Sequence, residues 1–164
     1  MSMESGTANN AAIFGGRDAQ TSKTFSLFKL ASVSPQGFRF DFNSQRYIGK
    51  SDTLTWNNES IYRFRFNGTK AETINITSGE SVYEIFNASN LFTTSTICLF
   101  AVNTLGTLGT FMTGRIHRYF YTDGITTLDL YPVVDSNNTV CMYDVVSKTF
   151  FYNQGTGNFV AGHK

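Results

Sequence analysis

The sequence predicts an all-β protein, folded as an antiparallel β-sandwich or barrel, and three observations support this prediction. Aromatic residues make up 15% of the 164 residues and charged residues also only 15%, against roughly 25% charged residues in an average globular domain. Short alternating apolar and polar runs are separated by Gly, Asn, Asp or Ser at a spacing of about 8–12 residues. Helical periodicity is almost absent, and such a composition suits pleated sheets better than helices.

The predicted strands follow one another with turn residues between them, about ten in all. They cover residues 11–15, 25–28, 38–42, 61–66, 73–77, 82–86, 96–102, 111–121 and 126–134 and two segments around Tyr143 and Tyr152. In residues 38–42, three Phe side chains share one face while Arg39 and Asp41 share the other, as an antiparallel strand with one solvated face requires.

Several connections are predicted from their own residues. Asn67-Gly68 predicts a hairpin, because both residues tolerate positive φ, and residues 78–80 predict a further turn. Residues 96–102 are nearly all apolar, which predicts a central strand covered on both faces. Residues 103–110 are expected to form a loop at the rim of the sandwich. Residues 87–91 are the only place where a helical turn is expected.

The length predicts a single domain, which is large enough to bury a core. We expect the sandwich to span residues 11–164, with residues 1–10 as a flexible segment or the remnant of an edge strand. The N-terminal residues are polar and lack the apolar stretch of a signal peptide. The protein therefore either does not use that route or has lost the segment.

Charge and hydropathy argue against two classes of function. The formal net charge is +1 and no basic stripe is present, so binding to nucleic acid is not expected. No apolar run approaches the roughly 18 residues that cross a bilayer, so membrane insertion is not expected.

The cysteines and histidines predict neither a metal site nor a nucleophile. Cys98 and Cys141 lie in apolar runs, and His117 and His163 are not spaced to complete a zinc site with them. We expect two buried thiols, with a disulfide as the alternative if the Cα atoms lie within about 7 Å. His117 lies in a predicted strand without a partner for catalysis. No metal and no cofactor are expected.

The C-terminal part of the chain carries the most specific pattern. A strand with an Asp and then a Pro precedes a strand that ends in Tyr-Asp, and an aromatic run then closes at a Gly-Thr-Gly turn. The residues are Asp129, Pro132, Tyr143, Asp144, Phe151, Asn153, Gly155, Gly157 and Phe159. This block resembles the ending of the laminin-G-like, concanavalin-A-like jelly rolls of phage tail and virion proteins and bacterial surface proteins. Residues 13–17, 99–101 and 114–116 are also similar to that family, so the resemblance covers nearly the whole chain.

The resemblance implies a jelly-roll β-sandwich, with one difference at the start of the chain. Members of the family usually begin with one or two strands before the segment that corresponds to residues 13–17, whereas only about a dozen polar residues precede Phe14 here. We therefore expect an open sheet edge near Phe14. Such an edge presents unpaired N–H and C=O groups and is a template for pairing with another chain. We therefore expect that the chain is trimmed from a larger protein, or that the edge is covered by self-association, by other virion subunits or by the chain's own N-terminal residues.

A catalytic site is not predicted, because the carboxylates are dispersed along the chain. Glucanases that share this sandwich need two carboxylates about 5–10 Å apart, and no strand here offers an alternating acidic pair. Asp129 and Asp144 are expected to bind backbone donors at turns or strand ends. The protein is therefore not expected to be an enzyme.

The candidate ligand-binding residues are Trp56, Asn57, Asn58 and Asn103. Sugar binding needs an exposed aromatic ring with amide or hydroxyl neighbours, and Trp56, the single tryptophan, lies in a polar stretch beside two Asn residues. A Trp folded over the rim of the core is an equally good interpretation. The predicted loop of residues 103–110 is a second candidate surface.

The resemblance implies a non-catalytic virion module, in a phage tail fibre, baseplate or other appendage, that recognises carbohydrate on the host-cell surface. Two alternatives stay open. One is a purely structural virion assembly subunit that binds no sugar. The other is an adhesion domain on a bacterial surface or in a secreted protein.

Overall fold

The computed structural model confirms an all-β protein. The structure describes residues 10–18, 23–30, 37–43, 45–49, 60–86, 95–122, 124–155 and 158–161. In this part of the chain there is no helix, and the strands form three sheets. The expected helical turn at residues 87–91 lies outside the described residues. No helix in the described ranges is long and apolar enough to cross a membrane.

The chain forms two compact units. The first contains the described residues up to Gly114, and the second begins at Arg115. The single domain expected for residues 11–164 stays a prediction. The first strand begins at Asn10, the last residue of the segment that was expected to be flexible or an edge remnant.

The first unit contains ten strands in two sheets. Their bounds are β1 Asn10–Arg17, β2 Thr24–Leu30, β3 Gly37–Phe42, β4 Gln45–Gly49, β5 Tyr62–Phe66, β6 Lys70–Asn75, β7 Ser81–Ile85, β8 Cys98–Leu99, β9 Val102–Thr104 and β10 Thr107–Gly109. One sheet has the order β10-β9-β1-β2-β3-β4 with β8 also paired to β1, and the other has the order β5-β6-β7. Strand β4 was not predicted.

A layer of phenylalanine rings joins these two sheets, as in a β-sandwich. Alternation places Phe38 and Phe40 on one face of β3, and both are buried. The ring centroid of Phe38 lies 4.9 Å from that of Phe64, and that of Phe40 lies 4.8 Å from that of Phe66. Phe86 also contacts Phe40, edge to face, at 5.6 Å. Burying so many large rings supplies the main hydrophobic contribution to the stability of this unit.

The expectation of an open edge near Phe14 is wrong. Strand β1 lies inside its sheet: Phe14 pairs with Leu27 on one side and with Leu99 on the other. Further along β1, Gly16 pairs with Asn103 in parallel. The strands that cover this edge come from later in the chain, so the number of residues before Phe14 says nothing about it.

Residues 96–102 do not form one central strand. Strands β8 and β9 are separated by a reversal at Phe100, which has a φ of 60°. Its N–H donates to the carbonyl of Ile13 at 2.9 Å. The reversal allows β8 to pair with β1 antiparallel while β9 pairs with it in parallel. Apolar content alone predicts burial, but it does not show where a strand reverses.

The predicted loop at residues 103–110 is a β-hairpin. Thr104 pairs with Thr107 across a two-residue turn, in which Leu105 has a φ of 49° and Gly106 a φ of 91°. Two positive φ values identify a type I′ turn, the turn that suits the twist of a hairpin. Gly106 suits its position, whereas Leu105 does not, so the sequence lacked the Asn-Gly or Asp-Gly pair that signals such a turn.

Replacing Leu105 with asparagine is expected to stabilise the protein by about 0.5–1 kcal/mol. Leu105 is 66% exposed, so the change loses little burial and relieves an unfavourable backbone conformation. Urea denaturation of the two proteins measures the difference. Leu108→Asn in the adjacent strand is the control and should give no gain. A loss of stability in Leu105→Asn would show that the Leu105 side chain stabilises the hairpin by contacts.

The Asn67-Gly68 turn is confirmed, although Asn67 acts differently from the expectation. Only Gly68 has a positive φ, of 93°. The side-chain oxygen of Asn67 instead accepts hydrogen bonds from the N–H groups of Thr69 at 3.2 Å and Lys70 at 2.7 Å. The carboxamide therefore closes the turn as an Asx turn does.

The second unit is a four-stranded antiparallel sheet in chain order. The strands are β11 Tyr119–Thr122, β12 Thr127–Val134, β13 Val140–Asp144 and β14 Thr149–Phe151. The strand predicted for residues 111–121 is therefore confined to its end, since residues 111–118 are not in a strand. The strands predicted near residues 126–134 and Tyr143 are confirmed, and Tyr152 lies directly after β14.

Candidate functional site

Three of the four predicted ligand-binding residues, Trp56, Asn57 and Asn58, lie outside the described residues. The fourth, Asn103, is buried in β9. Its amide nitrogen donates to the carbonyl of Thr96 at 3.1 Å, and its side-chain oxygen accepts from the N–H of Gly106 at 2.8 Å. The bond from Gly106 holds the hairpin turn and the bond to Thr96 attaches β9 to the segment before β8, so both favour a structural role. Ligand binding by Asn103 stays a prediction.

A different surface in the second unit gathers exposed aromatic side chains. Antiparallel pairing places Tyr131 opposite Tyr143 and Tyr143 opposite Phe150, so these rings lie in one row across three strands. Phe120, which pairs with Asp129, and Tyr152, two residues after Phe150, extend the same face by strand alternation. We call these five aromatic residues the aromatic face.

Four of the five rings of the aromatic face are exposed, whereas the opposite face of the same sheet is buried at Leu130 and Met142 and exposed at Val134 and Phe151. Phe120 is 53% exposed and Tyr152 is 44% exposed. Burial raises the pKa of Tyr119 on the opposite face to about 12. Exposed aromatic rings in a group are a common feature of binding surfaces.

Arg118 and Asp129 form the polar centre of this face. The guanidinium donates from Nε to Oδ1 of Asp129 at 2.7 Å and from Nη2 to Oδ2 at 3.0 Å. Its central carbon lies 5.5 Å from the ring centroids of both Phe120 and Tyr131, within the range of cation–π attraction. The bond to Asp129 raises the pKa of Arg118 further. The fork geometry fixes the guanidinium beside the two rings.

Tyr152 is held in place by Asp135. Its hydroxyl donates to Oδ2 of Asp135 at 3.0 Å, and the other oxygen of Asp135 accepts from the N–H groups of Asn137 and Thr139. The bond from Thr139, followed by those from Tyr152 and Asn137, lowers the pKa of Asp135. The bond to Asp135 raises the pKa of Tyr152. The ring is therefore oriented before any ligand arrives, which reduces the entropy cost of binding.

Asp144 supports the sheet beneath this face. It is fully buried, and its carboxylate accepts from the backbone N–H groups of Asp129 at 2.8 Å, Val146 at 3.2 Å and Ser147 at 3.0 Å. The Ser147 hydroxyl donates to it at 2.5 Å. The hydroxyl bond, followed by the bond from Asp129, lowers the pKa of Asp144 to about 2. The expectation that Asp144 binds backbone donors is confirmed.

The same expectation is wrong for Asp129, whose carboxylate binds the Arg118 side chain instead. Sequence spacing could not indicate this pair, because the two residues meet only through the register of β11 and β12. The Gly-Thr-Gly turn lies partly outside the described residues. Its Gly155 donates its N–H to the side-chain oxygen of Asn153 at 2.9 Å, a local turn contact.

The described residues contain no group of three or more His, Cys, Asp and Glu side chains that could hold a metal ion. Both cysteines are free thiols; Cys141 is buried as expected, whereas Cys98 is only half-buried. Burial raises the pKa of each thiol.

His117 is exposed and precedes β11 instead of lying in a strand, and its pKa is lowered by partial burial and by Arg115.

A second exposed surface lies in the first unit, at and after the β9–β10 hairpin. Leu105 is 66% exposed, Leu108 40% and Phe111 60%. This segment includes the predicted candidate surface at residues 103–110. Its exposed residues include these apolar side chains together with the hydroxyl-bearing Thr107 and Thr110, and it lacks the cluster of paired aromatic rings that the second unit presents.

The aromatic face was not among the predicted sites, although four of its five residues lie within the C-terminal block between Asp129 and Phe159. The sequence feature that could have indicated this face is the alternation that places Tyr131 and Val133 on one side of β12. The other face carries Leu128 and Leu130, so both faces appear apolar in sequence. Alternation shows which residues share a face, but it does not show which of two apolar faces is solvated.

Comparison of the chain with protein-family models, with curated proteins and with solved structures finds no match.

Proposed function

We propose that this protein is a non-catalytic module that recognises carbohydrate on a host-cell surface, and that the aromatic face is its binding surface. The observation that carries the proposal is the set of solvent-exposed rings held beside a fixed guanidinium and a fixed tyrosine hydroxyl. A sugar ring stacks its C–H surface on aromatic faces and hydrogen-bonds through its hydroxyl groups. The surface offers both kinds of contact.

The type of protein in which this function would operate is proposed from the resemblance of the C-terminal block to laminin-G-like jelly rolls. We propose a jelly-roll sandwich of the laminin-G-like type, in a phage tail fibre, baseplate or other virion appendage. A bacterial surface or secreted adhesion domain would use the same surface in the same way. The all-β architecture and the packed phenylalanine layer support the coarser part of this proposal.

Replacing Tyr152 with alanine is expected to weaken glycan binding at least about tenfold, because a preoriented ring is lost from the contact surface. Tyr152→Phe keeps the ring but removes the hydroxyl that fixes it to Asp135, so its loss of affinity should be measurable but smaller than that of Tyr152→Ala. A glycan array identifies a ligand for the wild-type protein, and calorimetry with that glycan measures the change.

Tyr83→Ala is the matched control, because Tyr83 is 60% exposed on β7 and does not belong to the aromatic face. It should leave the affinity unchanged. Equal losses in Tyr83→Ala and Tyr152→Ala would contradict the assignment of the surface. Absence of any glycan ligand for the wild-type protein would contradict the function.

A purely structural role in virion assembly is the second candidate, and the exposed apolar residues Leu105, Leu108 and Phe111 favour it. Apolar side chains grouped on a surface are typical of protein contacts. Under this alternative, Leu108→Ser should dissociate an oligomer that sedimentation velocity detects in the wild-type protein. The glycan-binding proposal predicts that the same variant keeps its affinity for the ligand.

A further inference from the structure

We infer that the aromatic face selects uncharged saccharides, and that the Arg118–Asp129 ion pair prevents anionic saccharides from binding there. This inference rests on the proposed function and specifies its class of ligand. It starts from the charges that the surface carries. Strands β11 to β14 contain no lysine or arginine, so Arg118, directly before β11, is the cation that lies beside the rings.

The positive charge of Arg118 is already neutralised within the protein. Asp129 receives two hydrogen bonds from the guanidinium in the forked arrangement that a carboxylate ligand would need. An acidic sugar could bind Arg118 in this way only by displacing Asp129. The displaced carboxylate would then lie next to the ligand's own carboxylate, and like charges in contact are unfavourable.

The second carboxylate strengthens this selection. Asp135 holds Tyr152 at the other end of the face, and like any aspartate with an ordinary or lowered pKa it is ionised at neutral pH. The face thus combines one guanidinium, already paired with Asp129, with a second carboxylate at Asp135. An anionic polymer would find no unpaired cation beside these rings, whereas a neutral sugar needs none.

The hydrogen-bonding groups that remain suit hydroxyl groups. Among the described residues, Asp129 is the only hydrogen-bond partner of Arg118, and it uses Nε and Nη2. The Nη1 group is left as a donor on a guanidinium whose central carbon lies 5.5 Å from the ring centroid of Tyr131. A neutral hydroxyl can accept from this donor without disturbing the ion pair. The contact is neutral overall, so its strength should depend little on ionic strength.

Asp129→Asn provides a gain-of-function test. The change keeps the shape of the side chain but removes the negative charge that neutralises Arg118. The variant should therefore bind acidic polysaccharides that the wild-type protein does not bind. The charge-matched control is Glu84→Gln, since Glu84 is exposed on β7 of the first unit and does not belong to the aromatic face. The control should bind no acidic polysaccharide.

The experiment uses the full chain in affinity electrophoresis against two neutral polymers, a β-glucan and a mannan, and two anionic polymers, polygalacturonate and hyaluronate. An array of neutral and acidic glycans extends the panel. The wild-type protein should bind neutral ligands only, with affinities that agree within about twofold between roughly 0.02 M and 0.5 M NaCl. Asp129→Asn should be retarded by the anionic polymers at the lower salt concentration and released at the higher one. Thermal unfolding of each variant confirms that it is folded.

The outcomes separate this inference from the function on which it rests. Binding of acidic ligands by the wild-type protein would overturn the inference and leave carbohydrate recognition standing. Failure of a folded Asp129→Asn variant to gain anion binding would also overturn it. If the wild-type protein binds no polymer and no glycan of either class, the proposed function itself fails.

Discussion

Replacing Phe40 with alanine is expected to lower the free energy of unfolding by about 3–5 kcal/mol. Phe40 is buried and contacts Phe66 at a centroid distance of 4.8 Å and Phe86 at 5.6 Å. Removal of the phenyl ring leaves a cavity between the two sheets of the first unit, and the surrounding rings cannot move far enough to fill it. Urea denaturation followed by fluorescence and circular dichroism measures the loss.

Two further variants control this prediction. Phe40→Leu fills part of the space and should cost clearly less than Phe40→Ala. Phe111→Ala removes a ring of the same size that is 60% exposed, and it should change the free energy of unfolding by no more than about 0.5 kcal/mol. A small loss in Phe40→Ala, comparable to that of Phe111→Ala, would show that the phenylalanine layer is not the core of this unit.

Replacing Asp144 with alanine is expected to lower the melting temperature by roughly 10 °C. The change leaves the N–H groups of Asp129, Val146 and Ser147 without their acceptor at a buried site. Unsatisfied buried donors are more costly than the loss of the bonds alone would suggest. Calorimetry measures the shift, and Glu84→Gln, which removes an exposed carboxylate, should leave the melting temperature nearly unchanged.

The lowered pKa of Asp144 leads us to expect that the free energy of unfolding decreases at acidic pH. In the folded protein the pKa of Asp144 lies at about 2, below its ordinary value of 3.8. A carboxyl group with a lowered pKa stabilises the folded state above the unfolded pKa, and this stabilisation is lost as the pH falls through the folded pKa. The wild-type protein should therefore lose stability between about pH 4 and pH 2. Asp144→Asn should lose less over that interval, and an equal loss would contradict the assignment.

The alternation of apolar residues and the identity of turn residues predicted much of the fold. The alternation of Phe38, Phe40 and Phe42 predicts their common face, and all three contact the opposite sheet. The Asn67-Gly68 turn was also identified correctly. Strand β4 and the reversal at Phe100 were missed, because their conformations depend on pairing with β3 and β1. Such long-range pairing leaves no local signal in the residues themselves.

The candidate site was less predictable than the fold. Trp56 was selected because an isolated tryptophan in a polar stretch is visible in sequence. The aromatic face was not selected, because its rings are spread over four strands between Phe120 and Tyr152. Asp129 belonged to a recognisable motif, yet its partner Arg118 became evident only from the pairing of β11 with β12.

The sequence by itself determined the all-β class, the alternation of most strands and the local turns, because these depend on side chains at most a few residues apart. Only the tertiary structure decided that β1 lies inside its sheet, that Asp144 is buried among backbone donors, and which aromatic rings of the second unit are exposed. Strand order and solvent exposure depend on which distant segments cover a surface. A chain with two apolar faces does not encode that choice at any single position.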